Sequence, residues 1–200
     1  MATKVKGLSN YKLDKIEKNL LYFYDEVKDD QEILDQGQAW YLQANIWCER
    51  VAVNYGISTY KVASVLSALS PRNKWERNKV DAEEVIKTWR KGGKPEDVKV
   101  CTFTSNKIKA FNILNSVAEI EPKSLKTRAF LLNIAYLDKE AVTIDVWHLR
   151  ACFDRMIVPK SLTPTIYDQI QKLTIKLAKK KGLRGYEFQA IVWGAVRGSL

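Results

Sequence analysis

The chain predicts an all-α fold, and three observations carry that expectation. Apolar residues recur at helical spacing along almost the whole length, cap and stop residues punctuate the pattern, and no segment calls for a strand. A chain of 200 residues supports one domain, or two intimately packed lobes, with a core that needs no disulfide or metal staple. β content is therefore expected to be negligible, and neither internal repeats nor low-complexity tracts occur.

Taken in order, Ser9 is placed to cap a first helix with Leu13, Ile16, Leu20 and Phe23 along one face. An acidic link from Asp25 to Asp30 leads to a longer helix whose buried stripe is Trp40, Ala44, Trp47, Cys48 and Val51, stopped at Gly56. Ser58 caps a third helix with Val62, Val65, Leu66 and Leu69; its near-continuous apolar character predicts a central position, and Pro71 ends it. The next helix holds Ala82, Ile86 and Trp89, and Lys91–Gly92–Gly93–Lys94–Pro95 is a clear break and a candidate hinge. Thr104 or Ser105 is expected to cap a helix with Ile108, Phe111, Leu114 and Val117 inward. After the central stretch discussed below, Met156 to Lys160 reads as a short extended link. Thr163 with Pro164 opens a helix striped by Ile166, Ile170, Leu173 and Leu177, closed by Lys179, Lys180, Lys181 and Gly182. A last helix runs from Tyr186 to about Val196.

Charge narrows the partners. The net charge of +10 favours a polyanion or an acidic surface, without specifying any chemistry. Cys48, Cys101 and Cys152 lie far apart with no CxxC spacing, so they read as buried thiols of a cytosolic protein. With a single histidine besides, the chain offers no set of zinc ligands, and no cysteine follows Cys152 to hold an iron–sulfur cluster. No metal and no other cofactor is expected. No segment approaches the apolar run of a membrane span, so a membrane partner is not expected and the location is read as cytoplasmic.

Two stretches concentrate chemistry. From Leu69 to Lys79 a turn gathers Arg72, Lys74, Arg77 and Lys79 with Asn73, Asn78 and Trp75. That mixture suits phosphate contacts and base stacking, and equally a solvated loop with Trp75 folded onto the core. From Lys126 to Arg150 the chain reads as a helix, a short link, and a second helix entered through Asp145 as N-cap, followed by Val146, Trp147, His148, Leu149 and Arg150. Lys126 near one helix start and Asp145 at the next offer a lysine and a carboxylate for nucleophilic chemistry on a sugar. The plain alternative is a cap and a solvated lysine.

This second stretch resembles the core of the helix-hairpin-helix DNA glycosylases, the superfamily of endonuclease III and the oxoguanine glycosylases. Lys126–Thr127 falls where that family has its catalytic lysine, Leu132 to Tyr136 follows its apolar helix, and Val142–Thr143–Ile144–Asp145 matches the segment bearing its essential aspartate. Val65 to Ala68, Ser105 to Ala110 and the Gln189–Ala190 pair are similar to flanking family helices, and the whole pattern is similar to that of small phage-encoded proteins. One departure stands out. The family's glycine-rich hairpin turn is replaced by Ile120–Glu121–Pro122–Lys123–Ser124–Leu125, and no glycine lies between Gly93 and Gly182.

The resemblance implies an all-α, two-lobed glycosylase-like fold with a degenerate helix-hairpin-helix element. It forms a single compact unit, with one lobe of about residues 1–56 plus 151–200 and another of about 57–150. It implies a DNA glycosylase acting on a damaged or modified base, with or without lyase activity at abasic sites, whose partner is double-stranded DNA or a nucleotide. Asp145 and Lys126 would be catalytic. Arg72, Lys74, Trp75, Arg77, Asn78, Lys79, Lys123 and Arg128 would contact nucleic acid, and Trp147, His148, Arg150 and Gln189 are secondary candidates. A non-catalytic nucleic-acid-binding protein on the same scaffold fits the missing glycines, and a phage enzyme of modified-nucleotide metabolism fits the same residues. A structural or protein-binding role also stays open.

Overall fold

The computed structural model of the chain describes residues 7–153 and 162–198. Among these residues the protein has nine α-helices and no strand. The helices are α1 (Asn10–Asp25), α2 (Gln31–Tyr55), α3 (Thr59–Leu69), α4 (Trp75–Arg90), α5 (Thr104–Leu114), α6 (Leu125–Tyr136), α7 (Val146–Cys152), α8 (Pro164–Lys180) and α9 (Gly185–Arg197), with a short 3₁₀ turn at Pro95–Asp97. The link expected at Met156 to Lys160 lies outside the described residues.

Local chemistry sets most of the boundaries. The Ser9, Ser58 and Thr163 side chains each accept from the backbone N–H three residues on, the usual N-cap bond. Pro164 occupies the first turn of α8, where its missing N–H costs nothing. Gly56 and Gly182 take positive φ just beyond α2 and α8 and terminate them. At α5 the expected cap differs: Phe103 holds the N-cap position without a side-chain bond, and Thr104 and Ser105 are already helical.

The chain divides into two compact units, residues 1–42 with 138–200, and residues 43–137. These bounds differ from those read off the sequence at 56 and 150: the first falls inside α2 and the second just after α6. A helix interior carries no composition signal for such a boundary. Asp145 and Arg150 consequently share a unit with α1, α8 and α9.

In the first unit α7, α8 and α9 pack together and against α1. Ile16, Leu20, Phe23, Cys152, Ile170, Leu177, Phe188 and Ile191 form its interior. Gly37 marks a close crossing: a Cβ there would meet the Ile191 Cγ1 at 2.5 Å and the Ile191 backbone at 3.0 Å. A glycine in a helix interior weakens it by roughly 0.5–1 kcal/mol relative to alanine, a cost offset here by the contact it permits.

In the second unit α3 is central, as its composition predicted. Every residue from Val62 to Leu69 is buried, and α4, α5 and α6 pack on it. Phe111 and Leu114 of α5 face the interior as expected, but Ile108 and Val117 are exposed. α5 stops at Leu114, Ser116 takes a left-handed φ, and Val117 leaves the helical register. The Gly92–Gly93 break lies wholly within this unit, where the Lys94 N–H bonds to the Asp97 carboxylate at 2.7 Å. It is a pinned turn rather than a boundary between units.

Candidate functional site

In the first unit the candidate centre is Asp145. The extended segment before it, Ala141 to Ile144, is buried. It is also held at several points. The Tyr167 hydroxyl donates to the Val142 carbonyl at 2.8 Å and accepts from the Ile144 N–H at 3.3 Å. Gln171 accepts from the Val142 N–H at 3.1 Å. Gly185 lets Val142 close in, since a Cβ there would lie 2.9 Å from its Cγ2. At the end of this pinned segment the Asp145 Oδ1 accepts from the N–H groups of Trp147 (3.0 Å) and His148 (2.9 Å). The sequence-predicted cap is present, and it fixes a half-buried carboxylate at the entrance to α7.

Buried polar groups back this segment. The Tyr41 hydroxyl donates to the Gln189 Oε1 at 2.9 Å. Burial holds the Tyr41 phenol well above its ordinary value, with the hydrogen bond to Thr143 acting in the opposite direction and the nearby Asp145 charge adding to it. Burial likewise raises the Tyr167 phenol. Both are neutral donors at any ordinary pH. Gln189, a secondary candidate on the sequence, is therefore a buried brace for Tyr41.

His148 is fully buried, and its neighbours define its tautomer. The Thr174 hydroxyl donates to the Ile170 carbonyl at 2.9 Å, so the His148 Nε2, 3.0 Å from the same oxygen, must carry the proton and donate. The Nδ1 lone pair has no partner among the described residues. Burial pushes its pKa down to about 4, which keeps the ring neutral near pH 7. This environment is that of a core histidine.

Trp147 and Arg150 lie on the outer side of α7 in a cluster that the sequence reading assembled only in part. The Arg150 guanidinium sits 4.3 Å from the Trp147 ring centroid, and Arg197 of α9 reaches the same ring at 5.6 Å and Trp193 at 4.8 Å. Trp193 in turn meets Trp40 edge-on at 5.6 Å. The signal available in the sequence was the spacing of Trp193 and Arg197, one helical turn apart.

In the second unit the basic turn is organised by a residue that the sequence reading did not single out. Asp81 is 1% exposed, and its carboxylate accepts from the Asn73 Nδ2 (2.9 Å), the Arg77 Nε (2.7 Å) and the Cys101 N–H (2.7 Å). The Thr102 hydroxyl donates to the Pro71 carbonyl at 2.8 Å. Residues 71–77 and 101–102 are thus tied into one knot, with Asp81 as its shared acceptor. The i, i+4 spacing from Arg77 to Asp81 was the available clue.

The knot sorts the predicted nucleic-acid set. Arg72 and Lys74 are exposed; Arg72 takes φ 60°, a left-handed conformation for a residue with a Cβ, and lies 5.2 Å from the Phe103 ring. Trp75 opens α4 half-buried, with the Lys79 ammonium 5.3 Å from its ring. Lys79 also pairs with Glu76 at 2.9 Å. Arg77 is committed to Asp81, and Asn78 leaves the surface set. It is 2% exposed and its amide donates to the Leu66 carbonyl, bracing α4 on α3.

Lys126 stands in the first turn of α6 with its side chain exposed. In place of a glycine hairpin, a turn closed by the Ser124 N–H on the Glu121 carbonyl (2.9 Å) leads into that helix. Lys123 within the turn pairs with Glu121 at 2.9 Å. Arg128, one turn along α6, donates to the Tyr60 hydroxyl at 2.9 Å. Lys126 and Asp145 belong to different units.

Among the described residues no cluster of three or more His, Cys, Asp or Glu side chains is arranged to hold a metal ion, and no helix is long and apolar enough to cross a membrane. Cys48 and Cys152 are buried as expected, but Cys101, in the loop before α5, is exposed. Burial pushes the Cys48 thiol up to about 12 and the Cys152 thiol higher still. Neither of these two is a nucleophile at neutral pH.

These features define an all-helical protein with a rigidly capped aspartate in one unit and a knotted basic turn in the other. A model described as "Family of unknown function (DUF7178)" matches residues 2–200, and the chain belongs to that family. No curated protein and no solved structure matches it.

Proposed function

We propose that the protein acts on DNA in the manner of a helix-hairpin-helix DNA glycosylase, with Asp145 as its catalytic carboxylate. The observation that carries this reading is the pinning of Asp145. A carboxylate meant only to cap a seven-residue helix needs no rigid approach, yet Tyr167 and Gln171 bond the backbone of Val142 and Ile144 and Gly185 packs on Val142. Preorganised charge is what glycosidic cleavage requires. As the bond from C1′ to the base nitrogen lengthens, its electron pair leaves with the base, which takes a proton from water. The sugar gathers positive charge, the carboxylate stabilises it, and a nucleophile adds at C1′. When water adds through its oxygen and gives up a proton, the product is an abasic site. The target base would leave the duplex stack to be reached, and Arg72 and Lys74 would contact phosphates.

The test is a panel of duplexes carrying abasic, oxidised, deaminated and bulky modified bases, assayed for base release and borohydride trapping. Wild type is expected to release at least one base. Asp145→Asn keeps an oxygen for the cap but lacks the charge, so it should bind the same duplex and lose nearly all turnover. Full activity in Asp145→Asn would end the catalytic reading. A second reading, nucleic-acid binding without catalysis, is favoured by the turn at Glu121–Ser124 and by the exposed position of Lys126. Duplex binding with no base released across the panel would select it.

A further inference from the structure

We infer that Trp147, Trp193, Arg150 and Arg197 of the first unit form a phosphate clamp for a nucleic-acid backbone. Two guanidiniums converge on one indole: Arg150 lies 4.3 Å and Arg197 5.6 Å from the Trp147 centroid. Arg197 is held from a second side by Trp193 at 4.8 Å. Like charges gathered on one ring repel unless an anion joins them, and no carboxylate among the described residues does so. Arg50, Arg77 and Arg184 pair with Glu83, Asp81 and Glu187, whereas neither Arg150 nor Arg197 makes an ion pair among the described residues. The indoles act as a scaffold, because a guanidinium held near an indole by cation–π attraction keeps its N–H groups for phosphate oxygens, which it can meet in pairs. The Trp193 Nε1 is a buried donor with no partner among the described residues.

An arginine in the last turn of α9 is also favourable to the helix dipole, but that role needs neither Trp147 nor a second arginine. The spacing along α7 adds a consequence. Asp145 caps the helix whose residues Trp147 and Arg150 build the clamp. A strand held there would pass the entrance of α7, beside the carboxylate assigned to glycosidic cleavage. The inference rests on the DNA-binding part of that reading and needs no chemistry at Asp145.

The test is fluorescence anisotropy with a labelled single-stranded oligothymidylate and a duplex of the same length, with thymidine monophosphate and inorganic phosphate as competitors at constant ionic strength. Arg150→Gln/Arg197→Gln is expected to weaken oligonucleotide binding by about tenfold or more, as loss of two charge-assisted contacts should. Arg150→Lys/Arg197→Lys should recover little, because lysine keeps the charge but neither stacks as a plane nor forks. Competition by the mononucleotide and by inorganic phosphate should be weak and alike, marking the backbone rather than a base or a free anion as ligand. Binding unchanged in the Gln pair, or restored in the Lys pair, would overturn the clamp. So would tight competition by inorganic phosphate alone. If wild type binds neither oligonucleotide, the clamp and the proposed function fall together; if wild type binds and the Gln pair binds as tightly, the clamp alone falls. Arg197→Gln, a change at an exposed position, is the variant to use should circular dichroism show the double substitution misfolded; a loss of about threefold or more is then expected, and no loss overturns the clamp.

Discussion

At the scale of single residues the first unit separates structural from chemical roles with unusual economy. His148 is the sole histidine of the chain, so its titration can be read without interference from another imidazole. Burial depresses its folded pKa to about 4 against an ordinary 6.5. The unfolded chain therefore binds more protons between these values, and stability is complete above pH 6.5 and falls as pH drops toward 4. The full loss amounts to about 3 kcal/mol at 1.36 kcal/mol per pKa unit. Urea unfolding of wild type from pH 7 to pH 4.5 should show most of that decline. In His148→Gln, which keeps a donor toward Thr174, the difference between the two pH values should shrink by about 2 kcal/mol. An equal decline in both proteins would refute the buried neutral ring. Asp145→Asn makes the complementary case. The amide oxygen still accepts from Trp147 and His148, so the loss of stability should stay below about 1 kcal/mol, while Asp145→Ala loses the cap and about 1–2 kcal/mol. Thermal unfolding of the pair measures this independently of any substrate.

Elements show what sequence periodicity conveys and what it omits. The helices, their caps at Ser9, Ser58, Asp145 and Thr163, and the central place of α3 were all legible, because each rests on neighbours in the chain. The exposure of Val117 was not, since it depends on where α5 stops, and Ser116 ends the helical register with a left-handed φ that its residue type does not announce. That of Ile108, inside α5, depends on which face the neighbouring helices cover. Asp81 escaped notice for a related reason: a lone acidic residue in a charged helix reads as solvated until the Cys101 N–H and Asn73 arrive from elsewhere. The candidate site was legible to the same extent. Asp145 and Trp147 with Arg150 are local, whereas Arg197 joins them through packing. Removal of Asp81 tests the knot it ties. Asp81→Ala leaves the Cys101 N–H and the Asn73 amide, both in part-buried bonds, without their acceptor, and removes the fully buried carboxylate they share. Arg77, being half outside, can return to water. A net loss of about 2–4 kcal/mol is expected, or a fall in Tm of several degrees, at about 2–4 °C per kcal/mol for a domain of this size. A loss below about 0.5 kcal/mol would show that the turn is held by other means.

For the whole molecule, the net charge of +10 states only that a polyanion is attracted; which cations meet it is decided by the pairings within each unit. Lys79 is shared with Glu76, Lys123 with Glu121, and Arg77 with Asp81. Exposed cations already neutralised release fewer counterions from DNA than free ones. Arg72 and Lys74 remain on the basic turn, and Arg72 holds a φ of 60° there, a conformation that costs a residue with a Cβ about 1–2 kcal/mol. Arg72→Gly removes that strain together with the cation–π contact to Phe103, so its stability should stay within about 1 kcal/mol of wild type. The variant Arg72→Gly/Lys74→Ala is then a clean probe of binding. If both side chains meet phosphates, the slope of log affinity against log salt for a duplex should become shallower by about 1.8, at roughly 0.9 per phosphate contact. Arg77→Ala should instead lower stability and leave the slope nearly intact, because its charge is spent on Asp81. Anisotropy titrations over a range of salt concentrations distinguish these outcomes. A slope unchanged in Arg72→Gly/Lys74→Ala, or an affinity indifferent to salt in wild type, would remove the basic turn from the interface whatever Asp145 proves to do.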